Sequence, residues 1–157
     1  MSIRCSECDT GYLVERVVED HDVGPLVGLD QVVLVKGPAL VCDHCGATTI
    51  RGEVLEQIMA SLAGMIVEQG EELTPREVRY LRETLGLTQE ELADRLGLKR
   101  LTIVRWENGD DAIGRIQSLA LRSLVAWHLN KPDLARKVAE LRPKPLARTM
   151  PPYRLSA

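Results

Sequence analysis

Phenylalanine is absent from this chain, and two Trp and three Tyr are its only aromatic residues among 157. Any core must therefore be aliphatic. No stretch approaches the roughly 20 consecutive apolar residues of a membrane span, and the opening Met1-Ser2-Ile3-Arg4-Cys5 lacks the apolar run of a secretory signal. The expected compartment is the cytoplasm, where cysteines stay reduced and paired cysteines bind metal more often than each other. Also missing are a Gly-rich phosphate loop, a Ser-His-Asp arrangement and a set of carboxylates patterned to share a cleft. The three histidines are scattered: His21 in an expected loop, His44 between two cysteines and His128 on an expected helix. These absences argue against an enzyme.

What is present is divided. Residues 1–73 hold 4 Lys+Arg against 13 Asp+Glu, a net of −9, whereas residues 74–157 hold 16 against 10, a net of +6. The overall −3 hides two halves of opposite sign. A basic half suits phosphates and an acidic half suits a basic partner, unless the charge serves only solubility.

Residues 88–109 read as two short helices with a tight turn between them. Thr88 is an N-cap and Glu91 completes a capping box. Leu92, Ala93 and Leu96 share one face, with Ala93 small enough for close approach of a second helix. Gly97 ends the first helix, because it takes the left-handed conformation without steric cost. Ile103 and Trp106 form the inner side of the second helix, which closes at Asn108-Gly109. Arg100, Leu101 and Arg105 are left outside. Such a helix-turn-helix lets its second helix enter the major groove of double-stranded DNA. Arg105 is the expected base reader, since a guanidinium donates two parallel hydrogen bonds to guanine O6 and N7. Gln89, at the start of the first helix, is placed for a phosphate. Lys99, Arg100 and Thr102 complete the candidate DNA contacts. The bland alternative is a hairpin packed for structure alone.

The beginning of the chain carries Cys5-Ser-Glu-Cys8 and Cys42-Asp-His-Cys45. Two thiolates separated by two residues grip an ion from a tight turn, and two such turns complete a tetrahedral site. Cys5, Cys8, Cys42 and Cys45 are thus expected to hold one structural Zn2+. Two disulfides or a redox switch are the competing readings. His44 reads as a bystander. Between the pairs, Tyr12–Val18, Gln31–Val35 and Ala39–Val41 are rich in strand formers. Gly24-Pro25, Gly28 and Lys36-Gly37-Pro38 read as turns, and Glu19-Asp20-His21-Asp22 as an exposed acidic loop, with ligation of a second ion as the less common alternative. A small antiparallel sheet hung on the metal is expected, deriving much of its folding free energy from the ion.

A helix is expected over Glu53–Glu68, with Leu55, Ile58, Met59, Leu62 and Ile66 as its apolar stripe. Thr74-Pro75-Arg76-Glu77 opens another that runs to Leu85. From Ile113 to Leu129 a helix has two apolar faces: Ile113, Ile116, Ala120, Leu124 and Trp127 are assigned to the core, and Leu121, Val125 and Leu129 to a homodimer contact. A helix over Asp133–Leu141 would cover that second face in a monomer instead. The tail from Pro143 to Ala157, with Lys144, Arg148 and Arg154, is expected to be disordered, or to serve as a basic arm on DNA. The expected division is 1–70, 71–142 and the tail 143–157.

The order Cys5-x-x-Cys8, Cys42-x-x-Cys45, linking helix, then Leu87-Thr-Gln-Glu-Glu-Leu-Ala93 and Arg105-Trp-Glu-Asn-Gly109 resembles the MqsA-type antitoxins of bacterial toxin–antitoxin pairs. The helix-turn-helix alone is shared with the large Xre and Cro repressor class. The resemblance covers residues 1 to about 130. It implies an α+β chain: a zinc-bound antiparallel β domain with one helix, followed by an all-α, lambda-repressor-like helix-turn-helix domain. It implies that the zinc domain binds a cognate toxin, typically an mRNA-cleaving ribonuclease, and that the second domain dimerises and represses its own operon at a palindromic operator. Arg105 matches the family's base-reading arginine. Leu101 stands where the family can carry a polar reader, and a leucine there can at most touch a thymine methyl. The other reading is a stand-alone Xre-family regulator whose zinc domain contacts another protein or senses metal or oxidant.

Overall fold

The computed structural model describes residues 2–142 and 152–157. The chain is α+β, with a sheet region that gathers the cysteines followed by a helical region. Strand β1 (Ile3–Arg4) pairs antiparallel with β2 (Tyr12–Asp22), and β2 pairs antiparallel with β3 (Val32–Cys42) along nearly its whole length. A one-turn helix, α1 (Gly24–Val27), connects β2 to β3 and sends Val23, Val27 and Leu29 into the core. On its other side β3 meets β4 (Thr48–Thr49) at Leu40–Val41.

Two details of the sheet differ from the sequence expectation. Lys36-Gly37-Pro38 is not a turn: β3 runs straight through it, with Pro38 opposite Val17. Proline is tolerated where a second ladder is interrupted, and Pro38 lies between the stretches of β3 that its two outer neighbours occupy. Likewise Glu19–Asp22 is not a loop but the end of β2, paired at Glu19, His21 and Asp22 with Lys36, Leu34 and Val33. Successive strand residues point to opposite faces, so these four side chains do not converge.

Helix α2 (Gly52–Glu68) buries Ile58, Leu62 and Ile66 as the periodicity requires, and Val67 with them, while Met59 stays exposed. Next come α3 (Pro75–Thr84) and α4 (Gln89–Leu96). Both open with a complete capping box, Thr74 with Glu77 and Thr88 with Glu91. Gly97 follows in the left-handed region at φ 65° and turns the chain into α5 (Arg100–Asn108). Leu92, Ala93, Ile103 and Trp106 are buried between them as their spacing requires.

Helix α6 (Arg115–His128) departs from the assignment of its two faces, although Ile113 just before it is buried and Leu124 packs half-buried on the core as expected. Leu121 and Val125 are fully buried, whereas Ile116 and Trp127 are 77% and 84% exposed. The inward face also carries Ser118 and Arg122, which makes it look polar in sequence. It is covered by α2, α3 and α7 (Pro132–Glu140), so Leu121 and Val125 are not available to a second copy. Helix α7 contributes Leu134 and Val138.

The expectation of a disordered tail fails at its end. Strand β5 (Tyr153–Ser156) adds in parallel to β3 at Val32–Lys36, buries Leu155, and pairs Arg154 with Asp20 at 2.9 Å. Arg154 is thus occupied on the sheet rather than offered to DNA. The reading of Lys144 and Arg148 as a basic arm lies outside the described residues.

The buried apolar cluster continues across the suggested boundary at residue 70, because α2 packs on α3, α6, α7 and β5. A polar knot fixes the crossing. Arg122, wholly buried, donates to the carbonyls of Ile66 (2.5 Å), Val67 (2.8 Å), Gln69 (2.9 Å) and Glu71 (2.7 Å). It thereby satisfies carbonyls that the end of α2 leaves without helical partners. Burial lowers its pKa, with the nearby Glu77 carboxylate opposing the shift. Glu77 in turn accepts from Thr74 N (2.8 Å), Gln69 Nε2 (3.0 Å) and the Tyr153 hydroxyl of β5. Among the described residues, no buried side-chain nitrogen or oxygen lacks a partner.

Candidate metal centre and nucleic-acid interface

The two Cys-x-x-Cys turns face each other because β2 and β3 pair in register from Leu13 and Cys42 onward. The four Sγ atoms lie within 4.8 Å of one another, with Cys5–Cys45 and Cys8–Cys42 both at 3.7 Å. A tetrahedral site with metal–sulfur bonds of about 2.3 Å has sulfur–sulfur edges of about 3.8 Å. Two of the six edges match that length and the others lie within 4.8 Å, so all four thiols can be ligands to one four-coordinate ion. Backbone N–H groups point at the sulfurs: Gly11 toward Cys8 (3.4 Å), and His44 and Cys45 toward Cys42 (3.4 and 3.5 Å). Donors of this kind favour thiolate over thiol. The Gly11 amide lowers the Cys8 pKa, and the Cys45 amide leads the groups that bring Cys42 down to about 7.

Gly11 is required by the close approach of the two turns. A Cβ there would fall 2.6 Å from both Cys42 Sγ and His44 Cβ. Reciprocal bonds between the turns, Tyr12 N to Asp43 Oδ1 (2.8 Å) and Asp43 N to Tyr12 O (3.0 Å), hold the pair shut. His44 is exposed and outside the cluster of ligand atoms.

At the other end, α5 presents Arg100, Leu101 and Arg105 outward, while Thr102 is half-buried. Lys99 is the exposed residue before its first turn. The Arg105 side chain is 54% exposed, with Nη1 3.6 Å from Asp111 Oδ2. Gln89 differs in its surroundings from the phosphate contact the sequence suggests. Its Nε2 donates to Glu107 Oε2 (2.9 Å) and its Oε1 accepts from Arg100 Nη2 (3.3 Å). Gln89 therefore links Arg100 to the interior.

Glu107 is the residue that sequence reading missed. Its carboxylate is fully buried and receives Arg82 Nε (2.5 Å), Arg82 Nη2 (3.2 Å), Arg79 Nε (3.4 Å) and Gln89 Nε2. Burial alone would raise its pKa, but the bonds from Arg82 and Gln89 and the charges of Arg82 and Arg79 outweigh it and hold the carboxyl below the usual range. The signal available was the three-residue spacing of Arg79 and Arg82 on one helix. Its meaning depends on α3 lying against α5, which no local pattern reveals.

Against known families, a model described as helix-turn-helix matches residues 78–117, from within α3 to the first turn of α6. No curated protein matches the chain. The matched stretch is a helix-turn-helix of the Xre-like kind, a module that binds DNA.

Proposed function

We propose that the protein is an operator-binding repressor and antitoxin. Its cysteine-bearing region holds one structural zinc ion and docks a basic toxin, of the mRNA-cleaving class that the resemblance implies, while the helix-turn-helix represses the operon encoding both. The observation that carries this reading is the presence, on one chain, of a four-cysteine cluster and an Xre-like helix-turn-helix. The opposite charges of the two halves support the assignment of a basic partner to one and DNA to the other. The role is binding rather than catalysis, in the cytoplasm. Among the described residues, no helix is long and apolar enough to cross a membrane.

On DNA, α5 lies in the major groove with Arg105 aimed at a guanine. Lys99, Arg100 and Thr102 hold the backbone, and Gln89 steadies Arg100 from below. Ile116, Ala120, Leu124 and Trp127 form an apolar stripe along α6, exposed at both ends. In this reading the stripe joins two copies, which sets two α5 helices about 34 Å apart on a palindromic operator.

Arg105→Ala should weaken operator binding by roughly 1–3 kcal/mol in a gel shift while leaving the fold intact. Unchanged affinity contradicts the base-reading role. Coexpression with the product of the adjoining reading frame tests the other half: a stable complex and relief of its toxicity are expected. Operator binding with no such partner favours the stand-alone regulator. The exposure of Cys45 gives that second reading its own support, since an oxidant can reach one member of the cluster. In that case DNA affinity should change with metal or oxidant.

A further inference from the structure

Helix α5 presents an apolar side chain on the surface that the proposed function turns toward DNA. Leu101, in its first turn, is 58% exposed, whereas Ile103 and Trp106 of the same helix are buried. Leu101 lies one turn before Arg105, so the two share a face with their Cβ atoms about 5–6 Å apart. Val104, three residues beyond Leu101, is half-buried and continues the apolar strip inward. The polar contacts at this face belong to the neighbours: Arg100 is held by Gln89, and Arg105 stands near Asp111. Leu101 has only methyl groups to offer.

In a major groove the matching apolar group is the C5 methyl of a pyrimidine, carried by thymine or by 5-methylcytosine. We propose that Leu101 and Arg105 form one reading unit for a 5-methylpyrimidine lying within one or two base pairs of a guanine. Base pairs stack about 3.4 Å apart, so side chains one helical turn apart address the same or adjoining steps. Arg105 donates to the guanine edge, and Leu101 excludes water from the methyl beside it. A wrong base at the Leu101 position meets no hydrogen-bonding group, so discrimination there is carried by the methyl. This assignment rests on the DNA-reading function proposed above.

The test uses the full-length, metal-loaded protein and a randomised duplex pool. Wild type should enrich sites with thymine near guanine. Replacing that thymine by deoxyuridine, which removes only the methyl, should weaken binding roughly threefold to fivefold, the effect of burying one methyl. Leu101→Ala, at an exposed position, should keep the wild-type melting temperature, bind the two sites equally, and still depend on Arg105. In a third duplex, cytosine replaces the thymine. Tighter binding on C5 methylation, lost in Leu101→Ala, supports the proposal with 5-methylcytosine as a second source of the methyl. A wild-type protein that enriches a site yet binds thymine and uracil versions alike overturns this inference and leaves the DNA-reading function standing. Enrichment of no sequence overturns both.

Discussion

The cysteine-bearing end and the helix-turn-helix end solve the same problem of small size in different ways. Around the cysteines, β2 leaves Tyr12, Val14 and Val17 exposed, and little beyond Cys5, Cys42, Leu40 and Ile50 is buried locally. That end relies on a ligand cluster and on paired turns. In the helical end, Leu81, Leu92, Ala93, Ile103 and Trp106 are buried together, both helix starts are capped, and a buried carboxylate is matched by two arginines. That end carries its stability within itself. The difference teaches which perturbations should be local: metal chemistry should act on one end and helix chemistry on the other, meeting at the polar knot and at the apolar seam that α2 makes with α3, α6 and α7.

The largest effect is expected from breaking the cluster. Cys42→Ser, or a strong chelator, should abolish stoichiometric metal binding and expose the amides of β1, β2 and both cysteine turns to hydrogen exchange. Amides of α3 to α5 should stay protected. Simultaneous loss of protection at both ends would erase the contrast.

At the helical end, Glu107→Ala should cost about 3–5 kcal/mol in urea unfolding, because it leaves Arg82 without its buried partner. The same carboxylate sets a pH dependence. Its pKa is lower folded than the unfolded value of about 4.3, so its contribution is present above pH ~4.3 and is lost as pH falls through the folded value. Glu107→Gln should flatten the stability profile in that acid range. A profile as steep as wild type would assign the dependence to another group.

The knot gives a smaller effect. Tyr153→Phe removes the hydroxyl that donates to Glu77 and should cost roughly 1–3 kcal/mol, with loosening of β5 against β3 seen by hydrogen exchange. Smallest is Thr88→Ala, which removes the α4 cap and should cost about 1 kcal/mol. A melting curve that leaves the cysteine end unaffected would sharpen the comparison further.

The features legible in the sequence were those made within a few residues. Thr74 with Glu77, Thr88 with Glu91, Gly97, and the two cysteine turns each announce themselves at short spacing. What escaped depends on distant segments meeting. Arg122 and Ser118 mark the buried face of α6 as polar, and only the carbonyl end of α2 explains why a guanidinium belongs there. Gly37-Pro38 has turn chemistry, yet β2 holds it extended from the far side. The strand at Tyr153 is short and follows a proline pair, so nothing local hints that the edge of β3 awaits it. Glu107 reads as one more acid on a helix until α3 brings Arg82 to it.

The parallel pairing of β5 with β3 also bears on the order of assembly. Val32 and Tyr153 sit side by side, although β4 and all the helices from α2 to α7 lie between them in the chain. Contacts between neighbours, such as the β2–β3 hairpin or the α4–α5 turn, close small loops and form early; this one joins residues 121 positions apart and should form late. Until it does, the Val32–Lys36 margin of the sheet is an open ledge, and a refolding experiment should show a late kinetic phase reported by Tyr153 alone.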